Sequence, residues 1–196
     1  MSEYPDSWKI KDALQVYFSK YHFVDGGYTL KYFKIKVGPV YIPVPNNKGR
    51  IAAVKIHDIH HLLTEYKANL KGEAQIGGWE IASGCGRYME AWILNFGSFM
   101  YGLFFFPGAL FQAFMKGRAV TSNLYHSIAY NDTLLNKTVG ELRESVGINN
   151  IRKNNARDYL LFVVYAFLSL TAGLMFLFFL IYLFINLLLN ADKSEA

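Results

Sequence analysis

From Tyr159 to Leu189 the chain runs thirty-one residues without a charge, and no other feature so narrows the folds open to it. A bilayer core about 30 Å thick is crossed by about 20 apolar helical residues, whereas two spans would need roughly 40. The run therefore predicts one tilted transmembrane helix with Phe, Leu and Ile facing lipid. A second uncharged run, Ala91 to Met115, is interrupted by Gly97, Gly102, Pro107 and Gly108. Proline inside a helix removes a hydrogen bond and kinks the chain. A buried or monotopic kinked helix is expected there, with a second span as the alternative. These two runs hold most of the apolar excess in a 196-residue chain that is 53% hydrophobic, above the usual globular share.

Charges flanking the long run set an orientation. Arg152, Lys153 and Arg157 precede it, while Lys193 follows in the company of Asp192 and Glu195; the Lys/Arg bias places the N-terminal side in the cytoplasm. Met1 to Lys20 mixes charges with aromatics and shows no apolar stretch or cleavage site of a signal peptide. A net charge of +5 would hold the domain near an anionic leaflet at roughly 1 kcal/mol per well-placed basic side chain, although a soluble basic surface carries the same charge. The single cysteine, Cys85, excludes an internal disulfide and a paired-cysteine zinc site. Between Gly84 and Gly86 it reads as a small packed residue. Gly-rich nucleotide loops, a nucleophile elbow and nucleic-acid modules are absent from the sequence, so no nucleic-acid partner is expected.

The remaining segments predict a mainly α fold. Ile10, Leu14, Tyr17, Phe18 and Tyr21 recur near helical spacing, and Asp25-Gly26-Gly27 marks a turn. Phe33, Ile35 and Val37 alternate with Lys34 and Lys36, the period of a half-buried strand, which Gly38 and Pro39 end. Asn46, Asn47 and Gly49 then read as a turn into a second short strand over 51–56. This would complete a small β-hairpin and put His57 at the beginning of a helix. The expected organisation is a helical, metal-binding cytoplasmic domain over 1–150, a basic connector over 151–158, a transmembrane helix over 159–189 and a short tail over 190–196.

The segment HDIHHLLTEYKANLKGE, residues 57–73, concentrates three of the five histidines within five positions. On a helix His57 and His61 share a face within about 40°, the spacing that lets two imidazoles bind one ion. Asp58 and His60 flank that face symmetrically, each about 60° from one central histidine and about 100° from the other, so helix geometry does not choose between them as a third ligand. Leu62 and Leu63 supply a core-facing side. Asn69, Lys71 and Gly72 offer a turn, after which Glu73 opens a second helix able to fold back on the first. Two histidines with one or two carboxylates suit Zn²⁺, Fe²⁺ or Mn²⁺. The plain alternative is a polar helix face whose acids pair with Lys55, Lys67 or Lys71.

His57-x-x-His60-His61 resembles one histidine box of the membrane desaturases and hydroxylases. That family holds two irons with about eight histidines, and only His22 and His126 remain here. A second resemblance extends further. His57-Asp58-x-x-His61, eleven residues and Glu73 form the HDxxH-x11-E signature of the coenzyme Q biosynthesis protein family, the fourth in that pathway's naming series. HHLLTEY, LKGE and GGWE resemble that family's helix, loop and second helix, and AFMKGRAV and NDTLLNKTVGELRESVGI its C-terminal pattern; the likeness covers 31–148. It implies His57, Asp58, His61 and Glu73 as metal ligands. The shorter N-terminal region and the run at 159–189 depart from the family pattern.

The resemblance implies a divalent metal, zinc or iron, and a polyprenylated quinone precursor as substrate. The implied reaction replaces the ring carboxylate of a polyprenyl-hydroxybenzoate by a hydroxyl, an oxidative decarboxylation; organising the other quinone-biosynthesis proteins is the implied non-enzymatic role. A bound cation would hold the carboxylate and phenolate and polarise the ring. For the isoprenoid tail, Trp92, Phe96, Phe99, Phe104 and Phe105 are the candidate lining, with Lys116 and Arg118 at the headgroup; core packing is the alternative role for these aromatics. The competing class is a membrane-anchored, lipid-binding scaffold whose metal is structural.

Overall fold

The computed structural model describes residues 2–23, 25–37, 40–127 and 129–191. The described residues are mainly helical with one strand pair, as the sequence predicts. Helix α1 (Ile10–Lys20) is followed by a 3-10 turn at Asp25–Gly27 and strands β1 (Tyr32–Val37) and β2 (Val40–Pro45), antiparallel with Val37 opposite Val40 and Tyr32 opposite Pro45. Then come α2 (Lys48–Thr64), α3 (Leu70–Ser83), α4 (Met89–Phe105), α5 (Pro107–Ala119), the short α6 (Leu124–Ser127), α7 (Asp132–Asn136) and α8 (Val139–Val146), and last α9 (Ala156–Ala191).

The hairpin forms with a different second strand. Residues 51–56 are helical, and residues 40–45, which contain Pro43 and Pro45, pair with β1 instead. Proline donates nothing to a ladder, but in a two-stranded sheet each strand has a free edge that tolerates it. The Asn46-Asn47 pair starts α2: Asn47 is the N-cap, its side chain accepting the Arg50 N–H at 2.7 Å. His57 consequently lies in the middle of α2, not at its beginning. Ala53, Ile56, Ile59, Leu62 and Leu63 form its buried side.

A buried cluster joins α1, α2, α7 and α8 with Ile76 and Trp79 of α3 and with Leu124 and Tyr125 of α6. A second cluster joins Ile81 and Ala82 of α3 to Phe99, Leu110 and Phe114, with Phe162 and Tyr165 of α9 packed against it. The α3 and α5 backbones nearly touch: a Cβ at Gly117 would strike the Trp79 carbonyl oxygen, so only glycine permits that approach. Arg143 on α8 donates to the Leu62 and Leu63 carbonyls at 3.0 and 3.1 Å and to the Tyr4 carbonyl at 3.1 Å. It thereby satisfies the open carbonyls at the end of α2 and ties them to the N-terminus.

The interrupted apolar run is neither one kinked helix nor a continuous span. It is divided between α4 and α5 at Phe106, with Pro107 at the first position of α5, where a missing N–H costs nothing. Helix α9 starts three residues before the apolar run, at Ala156, and its stretch over 156–182 is long and apolar enough to cross a membrane. Most of that stretch has no protein cover. The tail at 192–196 lies outside the described residues. Cys85 is buried, as expected of a packed thiol; the Asn95 Nδ2 lies 3.4 Å from its sulfur, and burial raises its pKa.

Candidate metal centre

Two helix starts place the site. Asn69 caps α3 by accepting the Gly72 N–H at 2.9 Å, which sets Glu73 in the first turn, where a carboxylate suits the helix dipole. A Cβ at Gly72 would collide with the Lys67 carbonyl, so the 65–69 loop can fold tightly over the start of α3. That fold brings Glu73 against the His57 and His61 face of α2.

The Nε2 atoms of His57 and His61 are 3.1 Å apart. Each lies 3.4 Å from a different oxygen of Glu73. These three side chains form a group able to hold a metal ion. Ligand atoms about 2.05 Å from a tetrahedral ion are about 3.3 Å from one another, so the spacing matches a common central cation. The tautomers agree. His61 Nδ1 lies 2.7 Å from the Tyr66 carbonyl, and His57 Nδ1 lies 3.1 Å from Glu80 Oε1. A carbonyl or a carboxylate only accepts, so both Nδ1 atoms carry a proton and each ring, once its Nε2 is free of a proton, presents that lone pair to the centre. Two lone pairs facing across 3.1 Å repel unless a cation or a proton lies between them.

Electrostatics favour a positive charge at this centre, a proton or a cation. Burial alone would lower the His57 pKa, but the carboxylates of Glu80 and Glu73 outweigh it and raise it well above the ordinary imidazole value. Burial opposes ionisation of Glu73, yet His61 and His57 hold it well below the usual carboxylate range. Tyr17 of α1 stacks on His61 at 5.7 Å and covers that side. The His61 side chain is 1% exposed, against 20% for His57 and 39% for Glu73, so the group opens to its surroundings past Glu73.

Structure separates the two residues that helix geometry left equivalent. His60 is fully buried with both nitrogens engaged, Nδ1 at 2.7 Å from Glu80 Oε1 and Nε2 accepting the Leu124 N–H at 3.2 Å. Burial lowers its pKa, which keeps it neutral. Asp58 is also buried, and its Oδ2 accepts the Tyr28 hydroxyl at 2.5 Å. Burial raises its pKa to about 6. It stands beside the three-residue group rather than within it.

Glu80 is the residue that sequence reasoning missed. Wholly buried on α3, it accepts from His57 and His60, from Asn95 Nδ2 at 2.5 Å and from the Tyr125 hydroxyl at 3.2 Å. Burial opposes its charge, but His57 and His60 hold its pKa well below normal. A carboxylate on the far nitrogen of a ligating imidazole fixes the ring and raises its basicity. A signal was present: Glu80 lies seven residues after Glu73, two turns along and within about 20° of the same helix face.

The tail and headgroup candidates disperse. Phe99 is packed core, tilted on Phe162 at 5.5 Å and edge-on to Phe114 at 6.0 Å. Trp92 and Phe96 stand together, both against Tyr165 of α9. Phe104 and Phe105, at the end of α4, are 68% and 65% exposed. Lys116 is exposed, whereas Arg118 donates to Asp158 at 3.1 Å and to the Ala82 carbonyl at 3.0 Å, clamping α9 to the domain. No protein-family model matches the chain, and no curated protein or solved structure shows significant similarity to it.

Proposed function

We propose that this is a membrane-anchored, divalent-metal-dependent protein of quinone biosynthesis, acting on the ring of a polyprenylated hydroxybenzoate-type intermediate. The observation that carries the metal part is the pair of imidazole Nε2 atoms, 3.1 Å apart and joined by Glu73, with both Nδ1 atoms committed elsewhere. Three protein donors leave a position for an outside ligand, the arrangement of catalytic rather than structural zinc. The HDxxH-x11-E spacing supports the choice of pathway, and α9 supports a membrane address for a lipid-tailed substrate, with the domain on the cytoplasmic side.

In this reading a bound cation supplies Lewis acidity to the ring carboxylate and phenolate. His57, His61 and Glu73 hold it, Glu80 and the Tyr66 carbonyl orient the imidazoles, and Tyr17 excludes water on one side. Asp58, raised to about 6 by burial and hydrogen-bonded to the Tyr28 hydroxyl, is the candidate for proton exchange with a bound phenol.

Metal content of the detergent-purified full chain tests the proposal, followed by Co²⁺ substitution and titration with 4-hydroxybenzoate. One metal per chain and a spectrum shifted by the ring carboxylate are expected. His57→Ala and His61→Ala should each lose the metal. Glu73→Gln, at a half-exposed side chain, should stay folded, bind metal at least about tenfold more weakly, and accumulate a carboxylated polyprenyl-phenol in cells that depend on the protein. Full metal binding without any spectral response to the ring acid would favour the scaffold with a structural ion.

A further inference from the structure

Helix α2 has a second side rich in charge. Lys48 and Lys55 lie between about 120° and 180° around the helix from His57 and His61. There they line a cleft of about 760 Å³ whose other wall includes Arg87, Tyr88, His126 and Tyr130. No Asp or Glu is among the described residues lining it. Of the nearby acids, Asp58 accepts the Tyr28 hydroxyl, and the Glu90 carboxylate stands beside Gly49 outside the lining.

Lys55 is the informative residue. It is half-buried, with its ammonium 5.2 Å from the Tyr28 ring centre and 4.9 Å from that of Tyr130. Among the described residues neither it, Lys48 nor Arg87 forms an ion pair within 4.0 Å. A partly desolvated cation held between two aromatic faces gains from the rings but keeps donors unspent. Three cations and an imidazole converging on one concavity without a carboxylate define an electropositive site.

We propose that this cleft binds a phosphate-bearing ligand. A single carboxylate would leave two of the three cations unmatched, whereas a phosphate carries about −1.5 to −2 charges and three acceptor oxygens. The Arg87 guanidinium suits a bidentate contact, Lys48 and Lys55 act as point charges, and the tyrosine rings wall the sides. The site is separate from the metal group but shares a wall with it: Tyr125 lines the cleft and donates its hydroxyl to Glu80, the carboxylate that orients His57. The inference does not depend on the quinone reading.

The phosphate can belong to a soluble ester or to a lipid headgroup, and the test separates them. Full-length protein in detergent is titrated with phenyl phosphate, with short-chain phosphatidic acid, and with benzoate and short-chain phosphatidylcholine as controls, following intrinsic fluorescence. Saturable binding of at least one phosphate probe is expected, weakened at least about tenfold in Lys55→Met/Arg87→Gln by loss of charge-assisted contacts. Metal content should stay unchanged, since Lys55 lies across α2 from the metal group and Arg87 lies between α3 and α4, outside that group. Phenyl phosphate binding identifies a soluble phosphate site; phosphatidic acid binding alone identifies a headgroup site. The proposal is overturned if neither probe saturates, if benzoate binds as well as phenyl phosphate, or if the variant binds like the wild type. Arg87→Gln alone, at an exposed position, gives the same readout if the double variant does not fold.

Discussion

The α2–α3 pair and the α9 region solve opposite problems. Around Glu80 the fold buries charge and supplies each polar atom with a partner, whereas along α9 it exposes Leu, Phe and Ile with little protein to cover them. A buried carboxylate is tolerable only when paired and hydrogen-bonded. A long exposed apolar helix is tolerable only in a medium as apolar as itself. One region has therefore been completed by protein, and the other is left with an apolar surface long enough to cross a membrane.

Removing the central acid strikes the first region hardest. Glu80→Ala leaves donors from His57, His60, Asn95 and Tyr125 without their acceptor, and loss of one partner in such a buried network costs about 3–5 kcal/mol. Chemical denaturation should show that loss together with weaker metal binding. A variant as stable as the wild type would mean that the network is not the keystone of this region.

A charge placed on α9 probes the second region. Phe178 is 67% exposed, so Phe178→Lys costs a water-facing helix nothing but penalises insertion by about 2.5–3.5 kcal/mol near the bilayer centre. The variant should shift from the carbonate-resistant membrane fraction toward the soluble or aggregated fractions. Unchanged membrane retention would remove α9 as the anchor.

These two regions were also unequally legible in sequence. Helix α9 could be read from composition because one apolar rule runs along its whole length. The His57 and His61 pair could be read because helical spacing is local; the second helix could be read too, but it starts at Leu70 behind the Asn69 cap and not at Glu73. Glu80 could not be read in the same way, since its importance comes from Asn95 and Tyr125 on other elements. Ile51, Val54 and Ile56 suggested a strand because β-branched residues favour one, but the Asn47 cap and packing of Ala53 and Ile56 on the core override that preference. Asp58 and His60 could be distinguished only once Tyr28, Leu124 and Glu80 had positions.

His60→Ala sharpens the contrast inside one helix. It should cost about 1–3 kcal/mol, because Glu80 and the Leu124 N–H each lose a partner, while metal binding survives. Isothermal titration with zinc, set beside a melting curve, separates the two effects. Metal loss equal to that of His57→Ala would make His60 part of the metal group.

The smallest expected effect concerns pH, and it distinguishes a proton at the centre from a metal. In the metal-free protein the His57 pKa is raised above its ordinary 6.5, so its contribution to stability is fully present below the unfolded value and is lost as pH rises through the folded one. The pKa values of Glu73 and Glu80 are lowered from 4.5; their contribution is present above that value and lost as pH falls through the folded ones. Metal-free protein should therefore weaken on the alkaline side of 6.5, where the proton between the imidazoles departs and their lone pairs face each other. A bound cation replaces that proton, and its binding strengthens as pH rises, because the ligands must give up protons to take it. The gap in melting temperature between zinc-loaded and chelator-treated protein should widen from pH 6 to pH 8.5, with a shift of one pKa unit worth about 1.4 kcal/mol. A gap that narrows over this range would place the stabilising ion somewhere other than between His57 and His61.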